Sequence, residues 1–141
     1  MSTSTAHQII EILSRVLNVD ELGHVCSVAG KFKHDIKISV VALLHDYIED
    51  GYGTFEETQK RFDLDDEQMS ALDAITRRDG EKYFDYIQRV KQNEMAKTVK
   101  LADLQNNLNR CVNDLPNRWG LIRRYAKAYG ILIDQWKENK R

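Results

Sequence analysis

Residues 36–50 read IKISVVALLHDYIED, and the fold turns on how that stretch is read. Its apolar residues Ile38, Val40, Val41, Ala42, Leu43 and Leu44 do not alternate, and they surround a helical axis instead of lining one side of it. A helix that is apolar all round belongs in the middle of a fold. The stretch then ends on His45 and Asp46, followed one turn later by Glu49 and Asp50. Burying such groups is expensive unless something satisfies their polar atoms. The helical period brings Glu49 onto the surface of His45 and Asp50 onto that of Asp46, so one end of a buried helix carries an imidazole and three carboxylates. Anions crowded in this way raise one another's pKa values unless a cation offsets them, and a divalent metal does so compactly.

Working outward, Gly23, Gly30, Gly51, Gly53, Gly80, Gly120, Gly130 and Pro116 punctuate segments whose apolar residues recur at three and four. Helices are expected over about 5–18, 20–33, 35–49, 54–62, 65–77, 81–91, 94–112 and 117–138, with Pro116 interrupting the pattern before the last. The N-terminal Ser/Thr residues are available as caps for the first helix, Thr54 with Glu57 spells a capping box, and Asp65 or Asp66 opens the following helix. No stretch alternates long enough to argue for a strand. The fold class expected is all-α, a compact single-domain bundle of six to eight helices spanning residues 1–141.

Two other segments repeat the signal of residues 45–50. In KTVKLADLQNNL, residues 97–108, Leu101, Leu104 and Leu108 form one apolar face, while Ala96, Val99 and Asp103 fall along another. Asp103 thus continues an apolar stripe, and Asn107, one turn on, offers a donor and an acceptor beside it. In GHVCSVAGKF, residues 23–32, His24 sits next to a packed side marked by Val25, Val28 and Ala29. Two His and two Asp make a mixed nitrogen and oxygen donor set that suits Mn²⁺, Fe²⁺ or Mg²⁺ with open positions, whereas a closed zinc site would favour cysteines. In ITRRDGEKYFDY, residues 75–86, Arg77, Arg78 and Lys82 are placed to neutralise phosphate charge, as is Lys100 one turn before Asp103. Tyr83 or Tyr86 could pack on a base or belong to the core, and His7 and His34 read as surface or cap residues.

The order His24, His45-Asp46, Asp103 resembles the H…HD…D signature of the HD-domain metal-dependent phosphohydrolases. Locally, VALLHDYIED (41–50) and VKLADLQNNL (99–108) are similar to segments of the hydrolase domain of RelA/SpoT-type guanosine tetra- and pentaphosphate hydrolases. The resemblance covers roughly residues 22–110. It implies a metal, typically Mn²⁺, on His24, His45, Asp46 and Asp103, water activation by Glu49 and Asp50, and a nucleotide contact from Asn107. The segment NVDELGHVCSVAG (18–30) lacks the basic run and the Tyr-x-x-His-Pro of that family, and neither Leu13 nor Arg15 fits its base-packing arginine. The implied substrate is therefore a nucleotide-like phosphate or pyrophosphate ester, with guanosine tetraphosphate one candidate beside other nucleotides and phosphorylated metabolites. A nucleoside monophosphate phosphatase and a non-catalytic nucleotide-binding helical module are the alternative readings.

Composition limits what else the chain can be. Its 21 basic and 22 acidic residues give a formal charge of −1, so no whole-protein field would draw it to nucleic acid or to an anionic membrane. Cys26 and Cys111 are isolated, without finger spacing, and read as small buried side chains in a reducing compartment. The N-terminus MSTSTAHQ lacks the marks of a signal peptide, and no apolar run approaches the roughly 20 residues of a bilayer span. A cytoplasmic protein is expected. The aromatic last helix, with Trp119 and Trp136, is compatible with a homo-oligomer interface as well as with ordinary packing.

Overall fold

The computed structural model of the protein describes residues 6–136. Eight α-helices are found among these residues: α1 (Ala6–Leu13), α2 (Val19–Ala29), α3 (Ile36–Leu44), α4 (Phe55–Phe62), α5 (Asp66–Ile75), α6 (Tyr83–Lys91), α7 (Glu94–Cys111) and α8 (Leu115–Leu132). Two short 3₁₀ turns, Gly30–Phe32 and Val112–Asp114, join α2 to α3 and α7 to α8. The described chain is an all-helical single-domain bundle, and no helix in it is long and apolar enough to cross a membrane.

α3 is the centre, as a helix apolar all round must be: Ser39 through Leu44 are all buried. It packs against α1, α2, α5 and α7. α7 is the second central element and touches α2, α3, α5, α6 and α8. Its buried stripe is Ala96, Val99 and Asp103, whereas of Leu101, Leu104 and Leu108 only Leu104 is fully enclosed. The polar residue thus lies on the best-packed side of α7. Burying twenty or more aliphatic and aromatic side chains, each contributing about 1.5–3 kcal/mol, holds these two helices in register.

Several boundaries differ from those expected, each for a local reason. The helix expected over 5–18 ends at Leu13, because Asn18 serves as the N-cap of α2 and accepts from the Glu21 amide at 2.8 Å. The expected start at residue 5, its Ser/Thr caps and the end at residue 138 lie outside the described residues. The α-helix expected over 35–49 stops at Leu44, where the Tyr47 amide donates to Leu44 three residues back and Gly51 at φ 85° closes the turns. The Ala42 carbonyl near this end accepts from the His45 ring.

Thr54 and Asp65 form the N-caps of α4 and α5, both as complete capping boxes. Pro116 does not break the chain ahead of α8 but falls in its first turn, where a missing N–H leaves no bond unmade. α8 ends at Leu132. Asp134 then turns left-handed at φ 58°, and the Gly130 carbonyl receives the amides of Gln135 and Trp136. A Cβ at Gly130 would meet Trp136 at 3.2–3.3 Å, so Trp136 packs closely on the backbone there. Cys26 is half-buried and Cys111 buried, both as free thiols, and His7 and His34 are exposed.

Candidate metal centre

Three helices bring the site together. His24 projects from α2, whose Val25 and Val28 are held in the core; His45 and Asp46 follow the end of α3; Asp103 comes from the buried stripe of α7. Both imidazoles and Asp103 are buried, His45 to 2% exposure and Asp103 to 3%. Asp103 Oδ1 lies 2.8 Å from His24 Nε2 and 3.1 Å from His45 Nε2. Asp46 Oδ2 completes the group at 3.3 Å from His45 Nε2 and 3.9 Å from His24 Nε2. The two rings stand edge to face with centroids 5.3 Å apart.

The other nitrogen of each ring decides what these four atoms can hold. His45 Nδ1 lies 2.6 Å from the Ala42 carbonyl, an acceptor only, so this nitrogen carries the proton. His24 Nδ1 donates in the same way to Asn106 Oδ1 at 2.6 Å. A neutral ring so oriented turns the Nε2 lone pair inward, and the acceptor on Nδ1 thereby prepares the imidazole as a metal ligand. Two imidazole lone pairs and two carboxylate oxygens then converge with no donor between them. Positive charge must enter, as protons on the rings or as a cation. Burial works against charging His45, yet the Asp46 and Asp103 carboxylates outweigh it and hold its pKa well above the ordinary value. Burial likewise opposes ionisation of Asp46 and Asp103, but His45 lowers the first, and Lys100 and His45 hold the second well below the usual carboxylate range. His24, His45 and Asp46 form a group that could hold a metal ion, and Asp103 Oδ1 lies beside it, facing both rings.

Around this core, Lys100 Nζ donates to Asp103 Oδ2 at 2.9 Å and lies 5.3 Å from the Tyr86 ring centroid. Asn107 Nδ2 reaches Asp103 Oδ1 at 3.5 Å. Two cavities meet at His24, Asp46 and Arg110. One, about 170 Å³, has apolar walls from Leu13, Leu17 and Leu43 and carries Asp20, Glu21 and Asp50. The other, about 280 Å³, is lined by Arg77, Lys100, Asn107, Arg110 and Arg124, with Glu49 at its side. Together they reach the lower range of small-molecule pockets, about 300–1,000 Å³.

Glu49 and Asp50, adjacent in sequence, face different cavities. Glu49 accepts the Arg77 amide at 2.9 Å. Asp50 is pushed up to about 6 by partial burial and then by the carboxylates of Asp46, Glu49 and Glu21. Arg77 reaches the basic cavity. Arg78 and Lys82 stand instead along an outer, open cavity with Asp79, Gly80 and Glu81, and Arg78 pairs with Asp73 at 3.4 Å. The structure does not bring those two to the metal centre.

Sequence reading missed Asn106, which sits three residues after Asp103 and so on the same side of α7; that spacing is the one signal that could have found it. It also missed Arg110 and Arg124, for which the sequence carries no cue. No protein-family model matches the chain, and no curated protein is detectably similar to it.

Proposed function

We propose that the protein is a metal-dependent phosphohydrolase acting on a nucleotide-like phosphate or pyrophosphate ester, with guanosine tetraphosphate among the substrates to be tried. The observation that carries this reading is the convergence of four acceptor atoms from His24, His45, Asp46 and Asp103 beside a cavity edged with Arg and Lys. Mixed imidazole and carboxylate donors favour Mn²⁺, with Fe²⁺ and Mg²⁺ as alternatives. The chemistry such an ion supplies is Lewis-acid activation of water and of a phosphoryl oxygen.

The chain's own groups do the rest. Glu49 Oε1 is fixed by the Arg77 amide, which leaves Oε2 to orient a water and take its proton. The water oxygen forms the new bond to phosphorus while the ester P–O bond breaks, and the leaving oxygen acquires a proton from solvent. Asp50 supports this from the opposite cavity, and Lys100, Arg77 and Asn107 offset and orient the phosphate charge.

The test is a nucleotide panel, including guanosine tetraphosphate and nucleoside monophosphates, incubated with the Mn²⁺-loaded protein and followed by phosphorus NMR. Pyrophosphate released from a 3′ position would mark a pyrophosphohydrolase, and orthophosphate a phosphatase. Glu49→Gln should lower turnover by about 10²–10⁴-fold while the metal content stays at one ion per chain. No product from any nucleotide, or a Glu49→Gln protein as active as the parent, would overturn the reading.

A further inference from the structure

Glu49 is exposed, so packing does not set the direction of its carboxylate. Among the described residues that carboxylate receives one hydrogen bond, from the Arg77 amide at 2.9 Å. Its aim is therefore only as firm as the peptide plane that carries this amide. The plane joins Thr76 to Arg77, just beyond the end of α5, where the last carbonyls of a helix have no partner within it.

Tyr86, on α6 and 3% exposed, reaches this end from the side. Its hydroxyl donates to the Ile75 carbonyl at 2.5 Å, while its ring faces Lys100 and Arg89, with centroid distances of 5.3 and 5.7 Å. The Ile75 carbonyl and the Arg77 amide belong to successive peptide planes that share a single residue, Thr76. That residue is extended at φ −90° and ψ 114°, and both its amide and its Oγ1 are tied to the Leu72 carbonyl, at 3.0 and 2.7 Å. With Thr76 held, fixing one plane fixes the next. Arg89 grips the Thr76 carbonyl at 2.9 Å, the edge opposite the amide that meets Glu49, so the plane can rock about that anchor unless the preceding plane is fixed as well.

We propose that Tyr86 is a positioning residue for Glu49: through the Ile75 carbonyl and Thr76, its hydroxyl holds the Arg77 amide on the carboxylate. It touches neither the metal centre's imidazoles nor the water, and acts through the backbone alone. The part of this inference that concerns turnover rests on the phosphohydrolase reading; the part that concerns the hydrogen bond does not.

Tyr86→Phe isolates the hydroxyl, because the ring under Lys100 and Arg89 is kept. Amide hydrogen exchange followed by NMR should show the Arg77 amide exchanging about 5-fold faster in the variant, while the Glu57 amide, held by Thr54 at the cap of α4, exchanges as in the parent. Mn²⁺ affinity from calorimetric titration should stay within about twofold of the parent's. An Arg77 amide that exchanges at the parent's rate, or a variant that loses Mn²⁺ affinity instead, would overturn the proposal.

Kinetics with whichever nucleotide the parent hydrolyses supply the second readout. Tyr86→Phe should lower kcat about 5–10-fold with KM little changed, and in a Glu49→Gln background the same substitution should change kcat by less than about twofold. A loss that persists undiminished in Glu49→Gln would mean that the hydroxyl does not work through Glu49. If the parent hydrolyses none of the nucleotides and the Arg77 amide still responds to Tyr86→Phe, the phosphohydrolase reading fails while the positioning of Glu49 stands.

Discussion

His24 and His45 are steered by different kinds of partner. The proton on His45 Nδ1 is held by a backbone carbonyl, which no side-chain substitution removes, whereas that on His24 is held by the side chain of Asn106. Asn106→Ala should therefore lower Mn²⁺ affinity about 10–100-fold with every ligand still in place, as measured by calorimetric titration. An affinity equal to the parent's would show that the ring is steered by something else. The same contrast explains what the sequence made legible. Asp103 stood out because it continues a stripe begun by Ala96 and Val99, and His45 because it ends a run of buried aliphatics. Asn106 lies among the polar neighbours Gln105 and Asn107 and breaks no apolar pattern, so only the partner it meets on α2 reveals its work. Arg124 was hidden for a similar reason: its contact with Tyr83 exists because α8 lies across α6.

Among the elements, the link from α5 to α6 matters more to the site than its length suggests. Arg89 on α6 grips it through the carbonyls of Asp73, Ala74 and Thr76 and through both oxygens of Glu81. Arg77, whose amide holds Glu49, rides on this link. Hydrogen bonding from Arg89 holds the Glu81 carboxyl down at about 2 against an ordinary value of 4.5. A depressed carboxylate contributes stability that is complete above the unfolded value and is lost as pH falls through the folded one. Glu81→Gln should thus destabilise the protein by about 2 kcal/mol at pH 7, and the gap to the parent should narrow between pH 4.5 and pH 2 in urea unfolding. A gap independent of pH would show that the charge of Glu81 is not what matters. Existence and order of the helices were legible from spacing, and starts with a side-chain cap, such as Thr54 and Asp65, were legible too. The ends were not. Those of α3 and α8 are set by a turn toward three-residue bonds and by Trp136 folding back on Gly130, neither of which has a periodic signature.

For the molecule as a whole, the candidate metal centre lies between α2 and the end of α3, with Asp103 of α7 against both rings, so a bound ion should be felt in global stability. A ligand at about 100 times its Kd adds about 2.7 kcal/mol, which in a chain of this size raises Tm by roughly 10 °C. The sign with pH follows from His45. Its raised pKa means that, without metal, the protonated ring contributes stability below the ordinary value near 6.5 and loses it as pH climbs through the folded value. Since a cation competes with those protons, the rise in Tm on adding Mn²⁺ should be larger at pH 8 than at pH 6 by differential scanning fluorimetry. Equal shifts at the two pH values would argue against imidazole ligation.

The two cavities that meet at His24, Asp46 and Arg110 differ in charge balance, with Asp20, Glu21 and Asp50 added along one and Arg77, Lys100 and Arg124 set against Glu49 and Asp103 along the other. An elongated guest lying across that junction would experience a gradient from end to end, and only one heading would be tolerated. On the proposed phosphohydrolase reading, of two positional isomers carrying the same groups, just one would then present its labile bond at the junction. Regiochemistry would be enforced by the uneven walls of the passage, before any bond is touched.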